Sequence, residues 1–496
     1  MPLYTELPNG IDEVDIIVAG GGTAGCIVAS RLSDADPNLA ILLIERGSNN
    51  YNLPNVTVAF NKGSKEEQLA NREIVVPSGL ILGGGSSVNF LTYTPGEMLP
   101  YLKKLQTYHG PGPRDRGTYR VPRLGGDFIA AAKTLGYPEL QDAQDLDSNN
   151  GVQRAMRYVS LDGLRQDVAH TYLHPRLLDG KHPTLHVVVE SQVVWILFED
   201  KKATGVEDIP NPDSQPNPTQ TQDSIRRIRA RKLVISSCGT FETPALLERS
   251  GIGSREILNR AGVSDVVAHV PGVGEAYSDY HLLVYSYRCS LTPEETLDAL
   301  AGGCVDPAEL LKNNDGMLGW NAMDITCKLR PSDADVAALG PKPPNKPLLL
   351  IFPSIPIGLP VGQYMALSDP IDFVAGFYSD PNNVDIKKIR PVCVEREGPI
   401  GTNVADIQYT REDDVIIEQW PRENVSATWH SLGTCKMAPL DQMGAVDASL
   451  NVHGVENLKI VDLSIPPLDV AANTNNTAMA IGEKAADIII RELALG

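Results

Sequence analysis

The chain has 496 residues, 42% of them apolar, which is enough to bury a sizeable core in two domains or in one large α/β domain with insertions. Its 43 basic residues against 62 acidic ones give a net charge of -19, which argues against nucleic-acid and anionic-membrane partners and for small molecules. No apolar run reaches the ~18 residues of a membrane span, no basic-then-apolar leader opens the chain, and the seven cysteines show neither C-x-x-C nor metal-ligand spacing, so an intracellular, cytoplasmic protein without a metal is expected.

In chain order, residues 15–19 form a β-branched run, 20–25 a turn, 27–32 a stretch with helical spacing, and 39–45 a second apolar run, which reads strand, helix, strand. Residues 95–126, rich in Pro, Gly and Arg, read as loop. A polar, Pro-rich excursion from Asn211 to Asp223 separates Thr204-Gly205-Val206 from Leu233-Val234-Ile235 and predicts a long hairpin tip. Residues 291–423 mix strands, prolines and acidic segments without a repeat and read as a separate inserted layer, before an apolar strand returns at 458–461.

The turn is the first motif with chemistry. Gly20-Gly21-Gly22-Thr23-Ala24-Gly25 matches G-x-G-x-x-G after a strand and before a helix, the context that a dinucleotide site requires. Gly20 permits the tight turn, Gly22 lets backbone amides approach a pyrophosphate, and Gly25 lets helix and strand pack closely. Glu45 ends the next strand about 20 residues on, where a carboxylate can accept from ribose hydroxyls and repel the extra phosphate of NADP. The motif alone does not separate FAD from NAD, and a Gly-rich turn that binds nothing is its bland reading.

Further strings narrow the choice. Leu82-Gly83-Gly84-Gly85-Ser86-Ser87-Val88-Asn89, Gly239-Thr240-Phe241-Glu242-Thr243-Pro244, Ser250-Gly251-Ile252-Gly253 and Pro271-Gly272-Val273-Gly274 together resemble the glucose-methanol-choline (GMC) oxidoreductase family. Trp429-His430-Ser431-Leu432-Gly433-Thr434-Cys435 and Asn473-Thr474-Asn475-Asn476-Thr477-Ala478 are most similar to its fungal alcohol (methanol) oxidases. The resemblance implies an α/β fold: a Rossmann-like FAD-binding domain from residues 1–110, 184–282 and 425–496, with an inserted α+β substrate-binding domain from 111–183 and 283–424. FAD is the implied cofactor, with Gly84, Ser87 and Asn89 beside the isoalloxazine, Val193 by the adenine, and Asp462, Asn473 and Thr474 in a second stretch near the cofactor. Asn473 and Thr474 would start the last helix, whose N-terminus would favour a reduced, anionic flavin.

Alcohol oxidation needs a base for the hydroxyl proton while hydride leaves carbon, and histidine suits that task near neutral pH. In isolation, His430 beside Trp429 reads as a packed core histidine. The resemblance makes His430 the base, with hydride passing to flavin N5, and Asn473 the residue that holds and polarises the substrate hydroxyl without titrating. It implies a small primary alcohol oxidised to an aldehyde, oxygen reduced to hydrogen peroxide, and a homo-oligomer. The other readings are a dehydrogenase with a different acceptor, a non-redox hydroxynitrile lyase, and an inactive shortened paralogue. His453 reads as a turn residue and Cys435 as packing. The chain is shorter than the family usually runs, with breaks between Asn55 and Arg72, after Thr94, between Leu367 and Gly376 and after Lys388. The usual Asn-x-Gln-Asp-His run reads Ala276-Tyr277-Ser278-Asp279-Tyr280. Its last residues, Ala494, Leu495 and Gly496, are not the S-K-L of a peroxisomal protein.

Overall fold

The computed structural model describes residues 2–51, 59–66, 72–89, 123–141, 150–156, 158–160, 165–211, 225–282, 306–313, 325–328, 422–470 and 473–495, with isolated positions between them. Most of the expected layer over 291–423, the loop over 102–122, and the breaks after Thr94, between Leu367 and Gly376 and after Lys388 lie outside the described residues. The break between Asn55 and Arg72 falls partly on an antiparallel pair, Ala59–Glu66 with Arg72–Ser78.

An eight-stranded sheet organises the rest. Its strands are β1 (Leu3–Tyr4), β2 (Glu13–Ala19), β3 (Ile41–Ile44), β4 (Leu185–Val188), β5 (Ser191–Glu199), β6 (Lys202–Pro210), β7 (Arg226–Ser236) and β8 (Leu458–Ile460). They lie in the order β1-β4-β3-β2-β7-β6-β5, with β8 added beside β7. From β1 to β7, and on to β8, neighbours run parallel; β5, β6 and the first part of β7 form an antiparallel meander. β6 and β7 thus pair as the two arms of a hairpin, and most of the excursion after Asn211 that joins them lies outside the described residues.

Composition explains the two halves. Central parallel strands are covered on both faces and read as unbroken apolar runs, as in Ile16-Ile17-Val18-Ala19 and Ile41-Leu42-Leu43, none of which is exposed. Burying each Val, Leu or Ile side chain contributes roughly 1.5–3 kcal/mol. In the meander, the first part of β7 alternates instead, with exposed Arg227 and Arg229 against buried Ile228 and Ala230, and Asp208 pairs with Arg226 across the first rung.

The helices that matter to the site are α1 (Thr23–Ala35), α2 (Gly239–Arg249) and α3 (Thr474–Glu492). α1 and α3 pack closely: a Cβ on Gly482 would stand 3.0 Å from the Ala24 carbonyl oxygen. Arg31 on α1 bridges Glu483 and Asp487 on α3. Val168, Ala169, Leu173 and Leu177, on a π-turn (Ala169–Leu173) and a short helix (His174–Leu178), join the same core.

Candidate functional site: a glycine cradle and a histidine loop

β2 delivers the chain into the glycine turn. Gly20 has φ +103°, and a Cβ there would stand 2.2 Å from the Ser237 carbonyl oxygen; one on Gly25 would stand 2.1 Å from that of Gly20. These glycines are required by the protein's own packing. Gly22 differs, since a Cβ there would meet only Ser237 O, at 3.8 Å. Gly22 is also the N-cap of α1, where no side chain caps the helix and the first turn holds no acid. Its first amides thus lack the usual intrahelical and side-chain acceptors.

The second glycine cluster folds onto the first, with Gly83 and Gly84 in left-handed conformations at φ +88° and +52°. Gly83 N donates to Gly21 O at 2.7 Å. A Cβ on Gly84 would lie 2.8 Å from Gly22 Cα. Thr23 Oγ1 donates to Gly83 O (3.1 Å) and accepts from Ser86 N (3.2 Å). Motifs sixty residues apart thus form one cradle.

Several residues expected to touch a cofactor direct their side chains into the protein. Glu45 is 6% exposed; its Oε2 accepts from Gly21 N and its Oε1 from Gly47 N, both at 2.7 Å. Burial pushes its pKa up to about 7, against those two amide bonds and Arg46. Ser87 Oγ donates to Leu82 O (2.9 Å) and accepts from Asn50 Nδ2 (3.0 Å). Asn89 Oδ1 accepts from Arg165 Nη1 at 3.0 Å. Ala24 is buried against α3, and Val193 on β5 is buried in the core. Asp462, two residues past β8, closes the start of α2: Oδ2 accepts from Gly239 N (2.9 Å) and Thr243 Oγ1 (2.6 Å), while Oδ1 accepts from Ser464 N (2.8 Å). α2 thus has a built-in carboxylate at its N-terminus. α3, which begins at buried Thr474 with Asn473 as its N-cap, has neither a side-chain cap nor an acid in its first turn.

The structure brings His430 and Asn473 together, with Nδ2 of Asn473 3.3 Å from Nε2 of His430. Tyr280 stands edge-on to the imidazole, ring centroids 5.4 Å apart. Nδ1 of His430 is buried without a hydrogen-bond partner among the described residues. Burial lowers its pKa to about 4, so the ring is neutral at neutral pH. The loop around it is held on several sides. Ser278 and Leu432 exchange backbone hydrogen bonds at 2.9 Å, Gly433 N donates to Leu463 O (3.0 Å), and Thr240 Oγ1 donates to Ser431 O (2.7 Å). Trp429 adopts φ +65° and Gly433 φ +93°. Cys435 is fully buried, and His453 Nε2 lies 2.9 Å from Ala438 O in its turn.

Some residues of this region escaped motif reading. Asp167 lies 3.0 Å from His170 Nδ1 and 3.4 Å from Asn50 Nδ2, and Asn50 Oδ1 lies 2.9 Å from His174 Nε2, making a polar network under Ser87. Asp279 meets the His430 loop directly. Its only trace in the sequence is the aspartate kept within the altered run Ala276-Tyr277-Ser278-Asp279-Tyr280. The described residues contain no His, Cys, Asp and Glu cluster with metal-binding geometry, and no helix among them is long and apolar enough to cross a membrane.

A doubly covered parallel sheet and a glycine turn feeding an uncapped helix define a dinucleotide-binding α/β fold, in which a neutral histidine also meets an asparagine at a second uncapped helix start. The chain belongs to the GMC oxidoreductase family: profiles of its N- and C-terminal parts match residues 114–281 and 379–482. It is 30% identical to an alcohol oxidase of Candida boidinii over 642 residues, covering 97% of this chain and 95% of that one. Those 642 positions exceed the 496 residues of the chain, so the relative carries segments absent here. It is 29% identical to the mitochondrial choline dehydrogenase of Homo sapiens, covering 98% and 91%. An FAD-dependent oxidoreductase from Chaetomium thermophilum shares the fold at TM-score 0.75 and 21% identity, covering 97% of this chain and all of that one.

Proposed function

We propose that the chain is an FAD-dependent oxidase of small primary alcohols, with His430 as base and Asn473 as the group that holds the substrate oxygen. The observation that carries this reading is the 3.3 Å approach of Asn473 Nδ2 to the nitrogen of a half-buried, neutral imidazole, between residues 43 apart in sequence. The cradle fits the cofactor. The space over Gly22 and the uncapped start of α1, at Thr23, Ala24 and Gly25, suit a pyrophosphate. Glu45 directly follows β3, where a ribose would meet it, and each of its oxygens, already accepting one amide, has a second lone pair. Gly84 and Asn89 would lie along the isoalloxazine, with the start of α3 at Asn473 and Thr474 nearby. Residues 1–110, 184–282 and 425–496 would form the cofactor domain, joined on the α1 side by the turn at 168–178. Residues 111–167 and 283–424 would supply the substrate domain.

FAD, held by residues 20–25, Glu45, Gly84, Asn89 and the start of α3, would supply the hydride acceptor and the route by which the electrons reach oxygen. The protein's part is proton handling and orientation. With Asn473 Nδ2 donating, Nε2 of His430 carries its lone pair toward the asparagine, so an alcohol oxygen set between them gives its proton to Nε2 and keeps the amide as a donor. That donor stabilises the alkoxide character which makes carbon a better hydride source. A pKa near 4 keeps the imidazole in the base form at neutral pH. The likeness to a choline dehydrogenase favours a second reading, in which the acceptor is not oxygen.

The test is the visible spectrum of the purified protein under anaerobic addition of methanol, ethanol and benzyl alcohol. Flavin bands that bleach, followed by peroxide formation on admitting air, are expected. Bleaching without peroxide selects the dehydrogenase, and a flavin that stays oxidised with all three alcohols refutes the small-alcohol reading.

A further inference from the structure

We infer that Asp279 is the positioning residue of His430, holding the imidazole in place through the backbone rather than through the ring. The inference rests on the proposed role of His430. Where a carboxylate orients a catalytic histidine, it usually accepts from the ring N–H. Here Nδ1 has no partner among the described residues, and the ring's described hydrogen-bond contact is Asn473 at 3.3 Å. The aim of the ring must therefore be set largely by the main chain and by the Tyr280 edge.

Asp279 sets that main chain. Its carboxylate is fully buried and collects the residues on both sides of the histidine. Oδ1 accepts from His430 N and Thr428 Oγ1, each at 3.0 Å, and Oδ2 accepts from Ser431 Oγ at 3.3 Å. On its own segment it accepts from Tyr280 N at 2.7 Å and Tyr277 OH at 3.3 Å. Tyr277 OH lies 3.0 Å from Ser431 Oγ, closing the ring of donors. Trp429, within this clasp, holds φ +65°, a conformation that a bulky residue keeps only when its surroundings enforce it. Burial pushes the Asp279 pKa up to about 6, and the His430, Thr428, Tyr280 and Tyr277 donors oppose the rise, leaving a carboxylate at neutral pH. Only the ionised form accepts at both oxygens without a proton of its own to place.

Asparagine at position 279 keeps the volume but turns one acceptor into a donor facing Ser431 and Tyr277. For Asp279→Asn holoenzyme, the limiting rate of anaerobic flavin reduction at saturating alcohol should fall about 10²-fold, the cost expected of a small misplacement of a catalytic group. The alcohol dissociation constant and flavin content should stay near wild type. Asp279→Glu, which keeps two acceptors, should recover part of the rate. A second readout needs no turnover: the His430 imidazole ¹⁵N signals in the oxidised holoprotein should shift and broaden in Asp279→Asn. If no alcohol reduces the wild type, the oxidase reading fails while the nitrogen signals still test the positioning. If Asp279→Asn does not accumulate as holoprotein, Ser431→Ala removes one donor and should lower the limiting rate roughly fivefold, the rate equivalent of one hydrogen bond. Unchanged limiting rate and unchanged His430 signals in the variant that folds would overturn the inference, as would a loss confined to flavin content.

Discussion

The glycine cradle and the His430 loop differ in where their polar atoms point. In the cradle, Glu45 holds Gly21 and Gly47, Ser87 holds Leu82 and Asn50, and Asp462 holds the start of α2. These side chains build the walls, and what remains for a ligand is chiefly backbone amide and empty space over Gly22. At the histidine loop the arrangement is reversed: the wall is backbone, clamped from residues 240, 278, 279 and 463, and side chains, His430 and Asn473, meet at its surface. On the proposed reading, binding in the cradle is a matter of steric room, whereas chemistry at the loop depends on the aim of a single ring.

The largest test of that contrast lies within the cradle itself. Gly20→Val puts a Cβ 2.2 Å from backbone that cannot yield and should leave no folded protein, a loss of more than about 4 kcal/mol. Gly22→Val fills only the open space. It should give a colourless protein whose melting temperature stays within roughly 3 °C of apo wild type, read by calorimetry beside flavin absorbance. A yellow Gly22→Val variant would move the pyrophosphate elsewhere.

At the loop, His430→Ala should keep its flavin and lose roughly 10²–10⁴-fold in the limiting rate of anaerobic reduction, measured by stopped flow. An unchanged rate removes His430 from the chemistry and makes it a packed histidine.

The same ring offers a pH test. Its folded pKa, near 4, lies below the ordinary value of 6.5, so the unfolded chain binds the proton more tightly. On this residue's account, stability is highest above about pH 6.5 and declines as pH falls toward 4. Imidazole nitrogen shifts should show His430 neutral at pH 5.5, where an exposed histidine is mostly protonated; a midpoint near 6.5 would mean that the ring is solvated.

The smallest expected effect is on the cap of α2. Thr243→Val removes the hydroxyl that Asp462 accepts at 2.6 Å and should cost about 1–2 kcal/mol in denaturant melts, with reduction rates per bound flavin unchanged. A change in rate would tie this cap to the site rather than to the fold.

How much of this was legible beforehand follows from sequence distance. The turn at 20–25, the strand at 458–461 and the hairpin around Asn211 were readable because each depends on neighbours a few residues away: a strand, a breaker, a helix. His430 and Asn473 were reached only through resemblance, since neither periodicity nor spacing marks a lone histidine. Asp279 left only the aspartate within the altered run at 276–280, and Asp167 and the inward turn of Ser87 and Asp462 left no local signal.

By itself, then, the sequence determined where glycine must stand and which runs must be buried, because backbone clash and apolar burial act on a residue whatever lies far away along the chain. Tertiary structure decided which carboxylates face the protein, which helix starts stay uncapped, and how residues 43 apart come within 3.3 Å. Those outcomes depend on partners brought by other strands, and hydrogen-bond geometry exists only once the sheet and its crossing helices have set the distances.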